Sequence, residues 1–433
     1  MPMDVPSRSM WRRSMPALVW IGGGVGLLAG LIALLFAGCM PNTPAVTQSV
    51  SATTQIRVRL LESQESVFVT ASRDPVVTTQ SEPGPSPIHF PTGEPVKVSY
   101  SSFGWQVGSA TLGKGVMTLE PAADGSLSIN GQAYRGGFRF VPTMFSMFDV
   151  VNDAPLEGYL KGVLPRELFP SWHFEAFKAQ AVVARTYALY VSRTEGTNRY
   201  WDVYADQRSQ VYGGMMAETA KSGAAVDETV GDVLTYGPGS GRLFKAYFSS
   251  CCGGVTQAVS DAFPGDPLIP PLSSQDNGTT CSASPYFRWG PVQLSKAELT
   301  RRFRQWGSRH TPVRPEAFMG NLVELDLAVT NALGRPVRFR MVDDRGDVFN
   351  LPAEDMRAAV NTDDGPTPTL RSSFCKVNSD RASSYVMFYD GRGFGHGVGM
   401  CQWCAQARAL QGMNYAQILA IAYPGSNLIQ IAE

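Results

Sequence analysis

The chain has 433 residues, of which 44% are hydrophobic and 17% are charged, with 37 basic and 37 acidic residues. This length is enough for two or three domains with full hydrophobic cores. A net charge of zero argues against a nucleic-acid partner, because phosphate binding requires a basic surface.

The first segment is predicted to direct export. Arg12 and Arg13 lie just before an uncharged apolar run that ends at Cys39 and is long enough to span a bilayer. Positive charge before such a run keeps the amino terminus in the cytoplasm and places the rest outside. Residues 1–39 are therefore interpreted as a signal or membrane anchor, and 40–54 as a flexible tether. Small residues before Cys39 also resemble a lipoprotein cleavage site, which makes Cys39 a lipidation candidate.

Residues 55–150 are predicted to form a β-rich region. Segments such as "IRVRLL" and "SVFVTA" alternate apolar and polar residues, as half-buried strands do. Residues 151–433 mix helical and extended patterns, so the fold class is α+β. The clearest helix spans 173–193 and is expected to begin after Ser171 as its cap. Its many alanines predict burial on more than one face.

Glu167 lies between two prolines just before this helix. Nearby leucines and aromatic residues would partly desolvate a carboxylate in that turn. Desolvation raises a carboxyl pKa and makes the group usable as a general acid near neutral pH. The alternative is an ordinary exposed turn glutamate.

Five glycines surround His396 in "GRGFGHGVG", and a helix is predicted to follow. So many glycines indicate positive backbone angles or the close approach of another group to the main chain. A phosphate is one candidate, but a dinucleotide-binding turn would follow the first strand of a βαβ unit rather than lie near residue 400.

Six cysteines follow Cys39. In an oxidising compartment an even set favours disulfides. One Cys-x-x-Cys pair without a second of that spacing is weaker support for zinc, so no metal or other cofactor is predicted. The candidates for disulfide bonds are Cys251, Cys252, Cys281, Cys401 and Cys404.

The segment "YLKGVLPRELFPSWHFEAFKAQAVVARTYALY" closely resembles the signature of the SpoIID/LytB family. The segments "SQVYGG", "YFSSCCGG" and "GRGFGHGVGMCQW" resemble other landmarks of that family in the right order. The resemblance covers roughly residues 55–430. It implies a β-rich amino-terminal part packed with an α/β catalytic part around the long buried helix, with a cleft between them.

The family includes lytic transglycosylases, which cut peptidoglycan strands and leave 1,6-anhydromuramic ends. By position the resemblance implies that Glu167 is the catalytic acid. His396, Gln210, Tyr212 and Arg185 become candidates for binding the glycan. For His396 the alternative is a purely structural histidine, and for Arg185 it is an internal ion pair.

Two departures from the family pattern affect the predicted site. Some relatives hold zinc just before the Q-V-Y motif, but "WDVYADQRSQVY" has no cysteine or histidine there, so no zinc is expected at that place. Cys404 stands where the family usually has glycine. A bridge between Cys252 and Cys281, or from their turn to Cys401 or Cys404, would tie the glycine-rich loop to the body.

The resemblance implies two functions of different classes. The first is a transglycosylase that acts on peptidoglycan in the cell envelope, anchored to the membrane with its domain on the extracytoplasmic, periplasmic side. The second is a glycan-binding module without catalysis that enhances a cell-wall amidase, its partner. Retention of Glu167 favours the enzyme.

Overall fold

The computed structural model describes residues 54–431 except 83, 85, 87, 240 and 364–368. The predicted anchor, most of the tether and Cys39 lie outside this range. Among the described residues, no helix combines the length and apolar character needed to cross a bilayer. The helices, numbered in chain order, are α1 (Leu156–Glu167), α2 (Phe174–Thr194), α3 (Ala220–Asp227), α4 (Val259–Ala262), α5 (Lys296–Ser308), α6 (Ala353–Val360), α7 (Gln402–Leu410) and α8 (Tyr415–Ala422).

Helices occur among the strands only after residue 155, so the predicted α+β class with a β-rich amino-terminal region is confirmed. They are β1 (Gln55–Gln64), β2 (Ser66–Ala71), β3 (Val76–Thr79), β4 (Pro95–Ser101), β5 (Gly104–Val107), β6 (Ala110–Leu112), β7 (Met117–Glu120), β8 (Leu127–Ile129), β9 (Gln132–Tyr134), β10 (Gly137–Pro142), β11 (Phe148–Pro155), β12 (Val203–Tyr204), β13 (Asp232–Tyr236), β14 (Arg242–Leu243), β15 (Phe248–Ser249), β16 (Val292–Ser295), β17 (Leu322–Thr330), β18 (Pro336–Asp343), β19 (Val348–Pro352), β20 (Lys376–Asn378), β21 (Tyr385–Tyr389), β22 (Met400–Cys401) and β23 (Ser426–Gln430).

Two six-stranded sheets build the β-rich region. One has the order β12-β1-β11-β10-β7-β3 and the other the order β6-β5-β4-β2-β8-β9. Alternate side chains of β2 are buried, as its sequence pattern requires of a strand with one face on a core. The sheets enclose a core that includes Trp105, Phe138, Phe140 and Phe148.

Strand β11 connects the β-rich region directly to the helices. It is buried along almost its whole length and pairs with β1 and β10 on its two sides. It ends at Pro155, and α1 begins at the next residue. The position of α1 is therefore set by a strand inside the sheet, and no linker separates the two.

Helix α2 lies between two hydrophobic cores. Phe177, Ala181 and Ala184 pack into one core, whereas Ala179 and Val183 pack into the other. Small side chains allow both layers to approach the helix closely, which explains the run of alanines. The predicted burial on more than one face is confirmed.

The predicted cap of α2 is wrong. The residue that caps the helix is His173, whose Nδ1 accepts a hydrogen bond from the Glu175 N–H at 3.2 Å. Ser171 is too early in the chain, because Trp172 N–H bonds the Phe169 carbonyl at 3.0 Å and so continues the preceding turn. An imidazole nitrogen can accept this bond as a serine hydroxyl would.

The remaining helices pack with smaller sheets, among them the three-stranded sheets β14-β13-β23 and β17-β18-β19. Strand β13 pairs antiparallel with β23, with Val233 opposite Ile429. It is also held against α2, because Leu234 N–H donates to the Thr186 hydroxyl at 2.9 Å. This sheet therefore joins α2 to a segment near residue 430.

Candidate functional site

Glu167 is the last residue of α1, a helix that continues through Pro165. The predicted turn at this position is wrong: Pro165 falls in the last turn of the helix. The half-buried carboxylate accepts a hydrogen bond from the Val211 N–H at 2.9 Å and another from the side chain of Gln402. Burial raises the pKa of Glu167 above its ordinary value, and these two hydrogen bonds oppose that rise only in part.

Gln210 fixes the segment that reaches Glu167. Its side chain is completely buried, accepts a hydrogen bond from the Tyr159 hydroxyl at 3.1 Å and donates one to the Ala184 carbonyl at 3.5 Å. Tyr159 is on α1 and Ala184 is on α2, so Gln210 anchors its segment between the two helices. The next residue, Val211, then presents its N–H to Glu167. Gln210 is therefore buried away from solvent, where it positions the Val211 N–H that bonds Glu167.

A groove of about 390 Å³ runs between the β-rich region and the residues next to Glu167, namely Arg166 and 211–213. Leu60 and Asn130 line it on the β-rich side, and Arg166 and Val211 line it on the other. Tyr212 also contributes to its wall, although only 6% of this residue is exposed. The backbone that binds Glu167 therefore also forms part of an open groove.

Arg185 does not face this groove. Its guanidinium is fully buried and pairs with Glu157, with Nε–Oε1 and Nη2–Oε2 distances of 2.9 and 2.7 Å. Its Nη1 also donates to the Asp232 carbonyl at 3.1 Å. A bidentate pair with an added carbonyl partner uses most of the guanidinium donors. Arg185 thus joins α1, α2 and β13.

Three aromatic side chains form a patch beside Glu167. Phe169, Trp172 and Trp403 lie with ring centroids 5.0 to 6.1 Å apart. Phe169 is 53% exposed, whereas Trp172 is almost buried. Because Trp403 follows Gln402 in α7, the side chain that bonds Glu167 and one ring of the aromatic patch come from the same helical turn. This aromatic patch could stack on a sugar ring.

His396 lies six residues before the start of α7 at Gln402, and its ring is bound by other parts of the protein. Nδ1 accepts a hydrogen bond from the Val398 N–H at 3.0 Å, and the ring also bonds the backbone of Phe248. The rings of Tyr247 and Phe263 contact its edges at 5.6 and 5.4 Å between centroids. Burial lowers the pKa of His396 to about 4, so the imidazole is neutral at physiological pH.

The glycines around His396 make room for other parts of the protein. The guanidinium of Arg335, which is completely buried, lies where a Cβ on Gly397 would be, and the Tyr247 carbonyl oxygen lies where a Cβ on Gly399 would be. Arg335 donates to the His396 carbonyl at 3.0 Å. An internal arginine and the Tyr247 carbonyl therefore occupy the space beside these two glycines.

The structure gathers all five cysteine candidates into one buried cluster of Cys251, Cys252, Cys281, Cys401 and Cys404. The six cysteines of the described range are free thiols. The Sγ atoms of Cys252 and Cys281 are 3.6 Å apart, whereas a disulfide requires about 2.05 Å. The expected bridge between them is therefore not formed in this structure.

Gln402, Trp403 and the Val211 N–H were missed as site groups by the sequence reasoning. A backbone donor leaves no mark in a sequence, because every residue except proline has one. The side chains of Gln402 and Trp403 directly follow the glycine-rich loop and begin the predicted helix there. Polar and aromatic residues at the start of that helix were the available signal.

Comparison with known proteins adds sequence relationships to this geometry. The family model described as SpoIID, Stage II sporulation protein, matches residues 145–236, which include Glu167, Arg185, Gln210 and Tyr212. An uncharacterized protein of Brachyspira hyodysenteriae is 30% identical over 338 residues, covering 78% of this chain and 83% of the relative.

Two relatives from Bacillus subtilis carry descriptive names. The chain is 29% identical to an "Amidase enhancer" over 342 residues, covering 70% of this chain but only 45% of that relative. It is 24% identical to a "Stage II sporulation protein D" over 329 residues, which are 73% of this chain and 84% of the relative. Together with the family-model match over residues 145–236, which include α1 and α2, these similarities establish that the chain belongs to the SpoIID/LytB family.

Proposed function

We propose that this protein is a peptidoglycan lytic transglycosylase, anchored at the membrane with its described part on the extracytoplasmic side, and that Glu167 is its general acid and base. Family membership supports a cell-wall-related role. The observation that carries the enzymatic proposal is a desolvated carboxyl group with a raised pKa, held by two amide donors beside an open groove.

The surroundings of Glu167 suit both halves of such a reaction. Burial favours the neutral acid, which can protonate the glycosidic oxygen while positive charge develops on the sugar ring. The Val211 N–H and the Gln402 amide then stabilise the carboxylate that remains. That carboxylate accepts the proton of the muramic acid 6-hydroxyl as the oxygen attacks the anomeric carbon. The product is a 1,6-anhydro sugar, and no water is consumed.

Digestion of purified peptidoglycan tests the proposal. The full-length chain in detergent is incubated with intact sacculi and with glycan strands stripped of their peptides, and the products are analysed by mass spectrometry. We expect 1,6-anhydromuramic ends from at least one substrate. Reducing muramic ends would indicate a hydrolase instead, and intact strands from both substrates would contradict catalysis.

The pH dependence of cleavage should report the state of Glu167. A general acid must be protonated, so kcat/KM is expected to fall as pH rises through the raised pKa of this group. Gln402 lowers that pKa; the substitution Gln402→Leu should therefore move the alkaline limb of the profile to higher pH. Gln411→Leu, on an exposed residue just after the same helix, is the matched control. An unchanged limb in Gln402→Leu would contradict the assigned hydrogen bond.

The second candidate is a glycan-binding protein that enhances an amidase. It is favoured by the relative named "Amidase enhancer", which resembles this chain over 342 residues. In this case the groove and the aromatic patch bind peptidoglycan without cutting it. Binding to sacculi without product formation, together with faster release of peptides by an added cell-wall amidase, would support this alternative.

Both candidates predict that the aromatic patch binds glycan. Phe169→Ala removes its most exposed ring, and the affinity for peptide-free glycan should fall about tenfold, the loss expected when one buried aromatic contact is removed. Pull-down or calorimetry with purified strands measures it. Phe103→Ala removes a ring that is even more exposed, at 85%, but belongs to a turn between β4 and β5, and should leave the affinity unchanged. Equal affinities for both variants would exclude the patch as a binding surface.

A further inference from the structure

The geometry points to a metal site that neither the family match nor the proposed reaction requires. We propose that Cys252, Cys281, Cys401 and Cys404 bind one zinc ion as a tetrathiolate centre. Their four Sγ atoms lie within 4.8 Å of one another, and all four residues are buried. The site is separate in chemistry from Glu167 but is joined to it through α7.

The spacing of the sulfur atoms fits a single ion. A tetrahedral zinc with Zn–S bonds of about 2.3 Å places its ligands about 3.8 Å from one another. In the structure Cys252 Sγ lies 3.6 Å from Cys281 Sγ and 3.9 Å from Cys404 Sγ. The space between four sulfurs so close together holds one ion and is too small for an iron–sulfur cluster.

Backbone donors are directed at the same sulfur atoms. Cys401 Sγ accepts hydrogen bonds from the N–H groups of Cys252 and Cys404, at 3.3 and 3.4 Å. The side-chain amide of Asn277 lies 4.0 Å from Cys252 Sγ and is itself held by Arg408 at 2.6 Å. Donors of this kind stabilise thiolates and orient metal ligands.

Positive charge lies close to the cluster. Four thiolates and one zinc ion carry a net charge of −2, after the thiol protons have been released to solvent. Buried Arg335 donates to the Cys252 carbonyl at 3.1 Å and interacts electrostatically with Cys252 and Cys401. Its charge offsets part of the negative charge of a loaded centre.

The arrangement favours a metal over two disulfides. Cys252 lies at similar distances from two different cysteines, so the geometry selects no single partner for it. Only Cys401 and Cys404 are close in sequence; Cys252 and Cys281 come from two other loops. One ion therefore fixes three separate segments together.

The centre would also support the candidate active site. Cys401 caps α7, and the next two residues are Gln402, which bonds Glu167, and Trp403, which packs in the aromatic patch. A metal at Cys401 and Cys404 would thus hold in place the first turn of α7, which carries Gln402. Its role is structural, and it takes no part in bond cleavage.

Metal content and cysteine state of the full-length chain test this inference. The chain is purified in detergent without chelators, zinc is measured by inductively coupled plasma mass spectrometry, and cysteines are mapped by alkylation in denaturant without reductant. We expect about one zinc per chain and all four cysteines alkylated once the metal is chelated. Disulfide-linked peptides joining any of the four, or a metal-free protein with free thiols, would overturn the proposal. Iron in place of zinc would overturn the choice of metal.

Variants identify the ligands. Cys281→Ser should lose most of the bound zinc, whereas Cys375→Ala changes an equally buried thiol in a different hydrophobic core and should retain it. Cobalt exchanged into the unsubstituted chain should show the absorption of tetrahedral cobalt thiolate, and this signature should be absent from Cys281→Ser. Full zinc retention in Cys281→Ser would contradict the ligand set. If that variant does not fold, the metal content and cysteine map of the unsubstituted chain still decide.

Discussion

Replacement of Glu167 by glutamine is expected to slow the formation of 1,6-anhydromuramic ends strongly while leaving the protein folded. Glutamine retains the shape of the side chain and can accept the hydrogen bond from Val211, but it cannot donate a proton to the leaving oxygen. Loss of a general acid reduces rates by about a hundredfold to ten thousandfold. Product release from peptidoglycan, followed by mass spectrometry, measures the loss.

Stability separates this chemical effect from unfolding. The pKa of Glu167 in the folded protein lies above its ordinary value of 4.5 because of burial. The free energy of unfolding therefore falls as pH rises from the unfolded pKa through the folded pKa. Glu167→Gln removes this dependence and should be at least as stable as the unsubstituted protein at neutral pH, as measured by thermal unfolding.

Glu94→Gln is the control for Glu167→Gln, because Glu94 is exposed in a loop of the β-rich region. It should retain full activity and an unchanged Tm. Two outcomes would contradict the role of Glu167: normal anhydro products from Glu167→Gln, or lost activity that accompanies a large drop in Tm.

Replacement of Gly399 by alanine is expected to destabilise the protein by about 3 kcal/mol or more, as a left-handed backbone and a steric clash add together. Gly399 has φ +69°, and a Cβ there would overlap the Tyr247 carbonyl oxygen. That carbonyl belongs to the segment just before β15, which pairs with β22, so it cannot move without disturbing the pairing. Chemical denaturation measures the change in free energy.

Gly412→Ala is the matched control. Gly412 has φ +89°, and nothing lies within 4 Å of a Cβ built there. This variant carries the cost of the backbone conformation alone, about 1 to 2 kcal/mol. Equal destabilisation by the two substitutions would show that close packing is not the reason for the glycine at position 399.

Local patterns in the sequence predict much of the fold. The boundaries of β2 match the alternating segment "SVFVTA" residue for residue, and α2 differs from its predicted span by one residue at each end. Strong periodicity is a local property, so it is visible without the rest of the chain. Helix α1 was missed because Pro165 and two glycines weaken its helical pattern, while its stability comes from packing against α2 and β11.

The candidate site was only partly predictable for a related reason. Glu167 could be singled out because leucines and aromatic residues are its neighbours in sequence and because its segment resembles the family signature. Its hydrogen-bond partners come from positions 211 and 402, and their approach depends on the tertiary fold. The glycines near His396 are visible in the sequence, but the group that occupies their space, Arg335, is 61 residues away from His396.

The pairing of β13 with β23 has a consequence for how the protein is made. Residues 426–430 leave the ribosome almost two hundred residues after β13, which until then has an open edge on that side. Open strand edges pair readily with other chains. A nascent chain that already contains Glu167 and α2 is therefore still incomplete, and it must be kept from aggregating until β23 arrives. Loss of residues 426–430 would remove a strand from the sheet that supports α2 and so leave the edge of β13 unpaired.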